Sequence, residues 1–268
     1  MVVTFTKKVT KASIGEIFSP IYSVAPSGCL DFKMYLGGRW TSLEQSIEVR
    51  SPIDDGVIAT VPNASEREAK EAVELSNIHR NAIRTVPAVK KIEIFRRTRE
   101  LLLENEDSFV AILALEAGKP LSNAKGEVRS TAERLKLAPE EYGKIKGEHI
   151  PGDWSDETVG TSADVLREPL GVVLAISPFN CPLYITATKV IPALLAGNSV
   201  VVKTSSQDPL SFLMFARLLG VAGLPAGTQR DNWKGTYRRV HGGPRGGQHD
   251  YLHWEHRSRK ETGSSWGN

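Results

Sequence analysis

The chain has little that would tie it to a membrane, to a disulfide framework or to a metal. None of its apolar runs approaches the ~20 residues that a transmembrane helix needs, and its amino terminus shows no signal peptide. Its two cysteines, Cys29 and Cys181, are too few for a disulfide framework and lack the spacing of zinc ligands. These absences predict a cytoplasmic protein without a membrane partner or a metal site.

The carboxyl-terminal part of the chain also lacks the residues from which sheets are built. Residues 228–268 contain only two aliphatic side chains, Val240 and Leu252, together with seven glycines and three tryptophans. They also carry eight Lys or Arg against four Asp or Glu, so the net charge of +3 comes entirely from this tail. We expect residues 228–268 to be irregular.

A strand–helix–strand unit stands out in the middle of the chain. The apolar run 171–176 ends at Ser177-Pro178 and predicts a strand buried on both faces. Apolar residues at helical spacing follow over 182–196, and a second apolar run covers 199–202. This order predicts an α/β fold with a parallel βαβ core and a right-handed crossover. Ligands bind at the carboxyl ends of strands in open α/β sheets, so we expect any site there.

Before this unit, the sequence predicts a weakly patterned head, residues 1–33, and a domain over 34–227. Gly37 and Gly38 predict the turn of a hairpin that begins at Met34. Ser65 and Glu68 are spaced as a capping box at the start of a helix. The helix that this capping box opens is predicted to extend to Ile78. Further elements are predicted as strands at 47–50, 57–61 and 161–167, helices at 89–103, 107–116 and 122–137, a C-cap at Gly118, and a loop or edge hairpin at 147–154.

Several motifs in this domain resemble those of the aldehyde dehydrogenase superfamily. They are Glu-Ala-Gly-Lys-Pro at 116–120, Glu-Pro-Leu-Gly-Val-Val at 168–173, Ser-Pro-Phe-Asn-Cys-Pro at 177–182 and Lys-Thr-Ser-Ser at 203–206. The resemblance extends over about 34–227 and is nearest to archaeal non-phosphorylating glyceraldehyde-3-phosphate dehydrogenases and their glyceraldehyde or lactaldehyde relatives. It implies a partial, Rossmann-like cofactor-binding domain of an enzyme that oxidises a small aldehyde with NAD or NADP.

The resemblance also implies roles for individual residues. Asn180 matches the asparagine whose amide stabilises the oxyanion, although an asparagine at this place can also be a plain turn residue. Lys203 matches the lysine that holds the adenosine ribose, and its alternative role is that of an exposed lysine at a strand end. The residues expected to lie along the nicotinamide ribose with their backbone are Ile176, Ser177, Pro178 and Phe179.

Ser206 bears on the choice between the two dinucleotides. It occupies the position at which NAD-preferring members carry a glutamate that binds both ribose hydroxyls. A carboxylate there would repel a 2′-phosphate, whereas a serine can donate a hydrogen bond to it while Lys203 supplies positive charge. The cofactor expected from this position is therefore NADP, with NAD as the alternative.

The catalytic cysteine and glutamate of the family lie beyond residue 268, in chains nearly twice as long. Cys181 stands where the family has an aromatic residue, so we interpret it as a small packed hydrophobe, and Cys29 lies in the head. The arm with which family members form oligomers is also missing. The chain is therefore expected to be a truncated and inactive oxidoreductase.

A shifted reading frame would explain the unusual tail. Codons for Gln229–Lys234 can be chosen so that a one-base shift gives Asn-Val-Ile-Thr-Gly-Lys, and codons for His249–Lys260 so that it gives Met-Ile-Thr-Phe-Thr-Gly-Ser-Thr-Glu-Val-Gly. Both products are family motifs in the right order. We therefore interpret the chain from about Thr228 onward as out-of-frame translation.

The alternative hypothesis makes the tail a binding segment. Its Arg, Gly and aromatic residues resemble those of single-stranded nucleic-acid binders. His249, His253 and His256 have spacings that could reach one metal ion. Because a shifted frame produces such compositions without selection, nucleic acid is not the expected partner.

Overall fold

Residues 14–226 are described by the computed structural model, and their strands fall into four small sheets. The strands are β1 (Tyr22–Val24), β2 (Leu30–Phe32), β3 (Met34–Leu36), β4 (Arg39–Thr41), β5 (Ser46–Arg50), β6 (Val57–Pro62), β7 (Glu148–Pro151), β8 (Ser162–Val165), β9 (Val172–Ile176) and β10 (Ser199–Lys203). One sheet has the order β1-β2-β6-β5, and the others are the pairs β3-β4, β7-β8 and β10-β9.

Helices supply most of the remaining ordered backbone. A 3-10 helix (Glu16–Ile21) precedes α1 (Glu66–Ile78), α2 (Arg80–Arg84), α3 (Ala88–Glu104), α4 (Glu106–Ala117), α5 (Leu121–Lys136), α6 (Ala138–Lys144), α7 (Pro182–Leu195) and α8 (Leu210–Val221). The helices α3, α4, α5, α7 and α8 pack on one another, and phenylalanines of α3, α4 and α8 are fully buried between them. None of the described helices has the length and apolarity needed to cross a bilayer.

The predicted α/β fold with a parallel βαβ core is confirmed. The strands β9 and β10 pair in parallel, with Val172 opposite Ser199 and Ile176 opposite Lys203. The crossover between them is α7, and Gly197 follows the helix with a φ of +91°. Because an L-residue is strained at such a φ, glycine is the residue that lets the chain turn directly into β10.

The prediction that the first of these strands is buried on both faces is wrong. Leu174 and Ile176 of β9 are 49% and 52% exposed, whereas Val200, Val201 and Val202 of β10 are buried. The two runs are equally apolar but differently covered. The helices α1 and α7 contact both strands, whereas α2 packs on β10, and neither strand has a further strand at its outer edge among residues 14–226. Burial of an apolar strand depends on the elements around it, which its own sequence does not contain.

The sequence places a boundary between a weakly patterned head and a domain at residue 33. The strands β1 and β2 precede it and join β5 and β6 in one sheet, in which β2 runs parallel to β6. Phe18, Ile21 and Leu30 are fully buried in the same hydrophobic core as the later helices. Each strand has only three residues, so neither shows the alternation by which a longer strand is recognised.

Local predictions that depend on neighbouring residues are confirmed. The hairpin β3-β4 turns at Gly37 and Gly38, whose φ angles are +57° and +86°. Ser65 and Glu68 form the complete capping box of α1, with both reciprocal hydrogen bonds. Gly118 ends α4 in the left-handed conformation, with φ +63°. These signals act within a few residues, so the sequence determines them directly.

Candidate functional site

The carboxyl ends of β9 and β10 meet at one edge of the parallel pair. Ile176 and Lys203 are opposite each other in the register, and the amide of Ser177 donates to the carbonyl of Lys203 at 2.8 Å. The segments 176–180 and 203–206 therefore begin side by side. These are the residues that the sequence assigns to the dinucleotide.

The start of the segment after β9 is fixed by side chains of α7. The hydroxyl of Ser177 is buried and hydrogen-bonds to the hydroxyl of Thr186. Lys189 reaches back from α7, and its Nζ donates to the carbonyl of Ile176. These contacts fix Ile176 and Ser177 while the chain beyond them turns outward.

The next residues of this segment face solvent. Phe179 is 63% exposed and Asn180 is also exposed, while Pro178 is half-buried. The Phe179 ring is exposed beside the exposed Asn180 amide, whereas a ring of this size is more often buried in a core. The segment 176–180 thus leaves both an aromatic ring and a side-chain amide accessible.

A buried carboxylate accepts hydrogen bonds from the first turn of α7. Glu127 on α5 accepts hydrogen bonds from the amides of Leu183 and Tyr184, both at 3.0 Å. These amides lie in the first turn of α7, where N–H groups have no partner within the helix and where negative charge is favourable. The same carboxylate pairs with Lys119, whose side chain is 14% exposed. The start of α7 is therefore held by a charge on another helix.

Cys181 lies at the junction between this ion pair and the exposed segment. It precedes α7, is half-buried, and its Sγ is 3.5 Å from Nζ of Lys119. Cys29 is buried within the first sheet region. The interpretation of Cys181 as a small packed residue is thus incomplete, since its thiol contacts an ammonium group rather than only apolar atoms.

Lys203 is the last residue of β10, and Ser206 lies on the segment that follows it. Burial lowers the pKa of Lys203, so its ammonium group is partly desolvated. Ser206 is half-buried and lies three residues further along. A partly desolvated ammonium gains from a nearby hydroxyl or phosphate oxygen, and Lys203 is therefore suited to hold a polar ligand at this edge.

Two buried carboxyl groups lie at the start of α8, just after the segment 203–206, and the sequence predicted neither role. Glu116 at the end of α4 accepts hydrogen bonds from the amides of Leu210 and Ser211, at 2.6 and 2.9 Å. Burial, with Asp208 as a charged neighbour, raises the pKa of Glu116 to about 8. Burial likewise raises the pKa of Asp208 to about 7, and its Oδ1 has no hydrogen-bond partner within residues 14–226. A glutamate within the apolar run of α4 was the available signal for Glu116.

Comparison with known proteins agrees with this geometry. Residues 40–230 match the sequence profile of the aldehyde dehydrogenase family. The chain belongs to the aldehyde dehydrogenase family. The resemblance predicted from the motifs is therefore confirmed at the level of the superfamily.

Relatives of this aldehyde dehydrogenase chain include enzymes that act on different aldehydes. The chain is 36% identical over 195 residues to glutarate-semialdehyde dehydrogenase of Pseudomonas putida, covering 72% of this chain and 40% of the relative. It is 34% identical over 197 residues to NADP-dependent glyceraldehyde-3-phosphate dehydrogenase of Streptococcus equinus, covering 73% and 41%.

Solved structures of the family share the fold. The crystal structure of NADP-dependent glyceraldehyde-3-phosphate dehydrogenase from Bacillus halodurans, complexed with NADP, has a TM-score of 0.72 at 30% identity, covering 75% of this chain and 43% of that one. The aldehyde dehydrogenase chain described here spans about two fifths of the length of these relatives.

The predictions for the tail lie outside the described residues. They include the irregular conformation of 228–268, the shifted frame and the roles of His249, His253 and His256. Within residues 14–226, no group of three or more His, Cys, Asp or Glu side chains is placed to hold a metal ion.

Proposed function

We propose that this chain contains the nucleotide-binding part of an NADP-linked aldehyde dehydrogenase, with the dinucleotide at the carboxyl ends of β9 and β10. The observation that carries the proposal is the meeting of the segments 176–180 and 203–206 at that edge. The side chains there fit such a ligand: Phe179 offers an exposed apolar face, and Lys203 offers a partly desolvated cation.

The residues divide between the two ends of the dinucleotide. The backbone of Ile176–Phe179 lies along the nicotinamide ribose, and Lys203 binds the adenosine ribose. Ser206 donates to the 2′-phosphate, which a carboxylate at that position would repel. When bound, the nicotinamide supplies the acceptor for a hydride from the aldehyde carbon.

Asn180 has the role of an oxyanion donor in this proposal. Its amide N–H stabilises the negative charge that develops on the aldehyde oxygen when a nucleophile adds to the carbon. Its exposure beside Phe179 supports this role, because a donor already satisfied within the protein would be of no use to a substrate.

We further propose that the chain as given does not oxidise aldehydes. Hydride transfer requires that a thiolate first add to the carbonyl carbon. Cys29 is buried, and Cys181 is adjacent to Asn180 in sequence, so its thiol is not placed opposite a carbonyl that this amide holds at ~3 Å. Tests with glyceraldehyde and its phosphate should show no NADP reduction above background. Turnover that disappears in Cys181→Ala would refute this part of the proposal.

The cofactor assignment is tested by exchanging Ser206. We expect Ser206→Glu to shift the ratio of NADP to NAD affinity toward NAD by roughly 1–3 kcal/mol, the scale of one charge-assisted contact. Calorimetric titration of both dinucleotides measures the ratio. Ser130→Glu is the matched control, because Ser130 is an exposed residue of α5. An unchanged ratio in Ser206→Glu would remove this residue from the site.

The interpretation of the tail has its own test. The out-of-frame proposal requires that the DNA downstream of codon 227, read in another frame, encode the family motifs together with a cysteine and a glutamate. DNA sequencing across codons 225–230 decides this independently of any binding measurement. A single open frame without those motifs would contradict the proposal.

A further inference from the structure

A pocket lies at the amino-terminal end of the parallel strands, opposite the edge proposed to bind the dinucleotide. It has a volume of about 170 Å³ and is found where the chain enters β9 and β10. Its lining residues are Arg80, Arg84, Pro169, Leu170, Gly171 and Gly197. Glycine has no side chain, so the backbone of these two residues forms part of the wall. Their φ angles of +115° and +91° are ones that other residues rarely adopt. The pocket shares no residue with the segments proposed to bind the dinucleotide.

The arginines of this pocket are incompletely neutralised. Arg84 pairs with Glu168 at 3.5 Å, near the limit of a hydrogen bond, and both side chains are at least half exposed. Arg80 donates to the neutral side-chain oxygen of Asn77 at 3.1 Å. Within residues 14–226, Arg84 therefore has one long ion pair and Arg80 has none.

A buried ammonium adds to the same positive region. Lys91 is 6% exposed, and its Nζ donates to the carbonyl of Leu195 at 3.3 Å. Burial lowers its pKa, and no carboxylate among residues 14–226 offsets this effect. A Cβ built on Gly197 would lie 3.3 Å from this Nζ, so the ammonium lies behind the glycine wall of the pocket. A buried charge without a counter-ion is costly, and an anion in the pocket would reduce that cost.

The carboxyl end of α7 does not cancel this positive charge. Its last carbonyls are already hydrogen-bonded by the amides of residues 196–198 and by Lys91. Satisfied carbonyls contribute less negative potential than free ones, since the partial charge of a helix end resides on unpaired groups. An anion entering the pocket therefore meets the guanidinium groups of Arg80 and Arg84, with the ammonium of Lys91 behind the wall formed by Gly197.

We propose that this pocket binds a phosphoryl group, either inorganic phosphate or the phosphate of a small monoester. Planar guanidinium groups bind phosphate oxygens through paired hydrogen bonds, and the pocket is large enough for one such group. The bound anion replaces Glu168 as the partner of Arg84. The site goes beyond the function proposed above, because it lies at the other end of the strands and needs no nucleotide.

The test is thermal unfolding with phosphate in place of chloride at constant ionic strength. A ligand that binds only the folded state raises the unfolding midpoint. We expect phosphate to raise the unfolding midpoint in the unaltered chain. It should do the same in the control Arg39→Gln, which replaces the exposed arginine of β4. In the double variant Arg80→Gln, Arg84→Gln, the phosphate Kd from calorimetry should rise at least tenfold. An equal effect of phosphate in all three proteins would overturn the proposal, since it would reflect general binding to basic surface.

A second measurement requires no variant. Phenylglyoxal modifies accessible guanidinium groups, and mass spectrometry locates the modified residues. Phosphate should protect Arg80 and Arg84 in the unaltered chain and leave Arg39 unprotected; uniform labelling with and without phosphate would contradict the site. Repeating both measurements with glycerol phosphate distinguishes the two sources, because a pocket for a monoester binds it more tightly than inorganic phosphate.

Discussion

Glu127 is the residue on which the start of α7 depends most. Its carboxylate accepts from the amides of Leu183 and Tyr184 and pairs with Lys119, and its side chain is 3% exposed. Glu127→Ala leaves two helix-terminal amides without this acceptor and an ammonium without its counter-ion. Breaking a buried pair costs about 3–5 kcal/mol, and buried amides without acceptors cost about 1–3 kcal/mol each. Because water entering the variant partly solvates these groups, the costs do not add in full. We expect the free energy of unfolding to fall by about 3–5 kcal/mol.

The conservative variant separates charge from hydrogen bonding. Glu127→Gln keeps an oxygen for the two amides and loses only the ion pair, so we expect about half the loss. Urea unfolding followed by far-ultraviolet circular dichroism measures both variants. The control is Glu133→Gln, because Glu133 forms an exposed pair with Lys136 and should cost less than about 1 kcal/mol. If Glu127→Ala stayed within 1 kcal/mol of the unaltered chain, this account of α7 would be refuted.

Two further predictions concern stability. Burial and Asp208 raise the pKa of Glu116 from 4.5 to about 8, so the folded state holds this proton more tightly and the free energy of unfolding falls as pH rises across that window. Glu116→Gln should flatten this fall in urea titrations between pH 5 and 8, and an equal slope would contradict the assignment. Gly118→Ala should destabilise by about 1–2 kcal/mol, since φ is +63° and the new Cβ would lie 2.8 Å from Cγ of Pro52. Gly126→Ala, in open space within α5, should instead stabilise by about 0.5–1 kcal/mol, and thermal unfolding that ranked the two alike would count against the reasoning.

How far the sequence predicts this fold depends on the distance over which each signal acts. The capping box at Ser65 and the left-handed Gly118 involve residues within one turn, and both are confirmed. The parallel pair of β9 and β10 is also predictable, because a short crossover helix admits one arrangement. The exposure of Leu174 is not predictable in the same way, because it depends on whether another element covers β9.

The same distinction applies to the candidate site. The roles of Asn180 and Lys203 are implied by their match to short family motifs at strand ends, and they stay predictions. Glu116 and Glu127 act on helices 94 and 56 residues further along, and nothing near them in the sequence specifies those partners. Their roles follow only from the packing of α4 and α5 against the starts of α8 and α7.

The binding of dinucleotide at the edge formed by β9 and β10 is the central claim, and titration of NADPH fluorescence tests it most directly. We expect a saturable change with the unaltered chain. Lys203→Gln should raise the Kd about tenfold, the effect of losing roughly 1.4 kcal/mol of a charge-assisted contact. Lys136→Gln, at an exposed site on α5, should leave the Kd unchanged. A Kd for Lys203→Gln equal to that of the unaltered chain would contradict the claim.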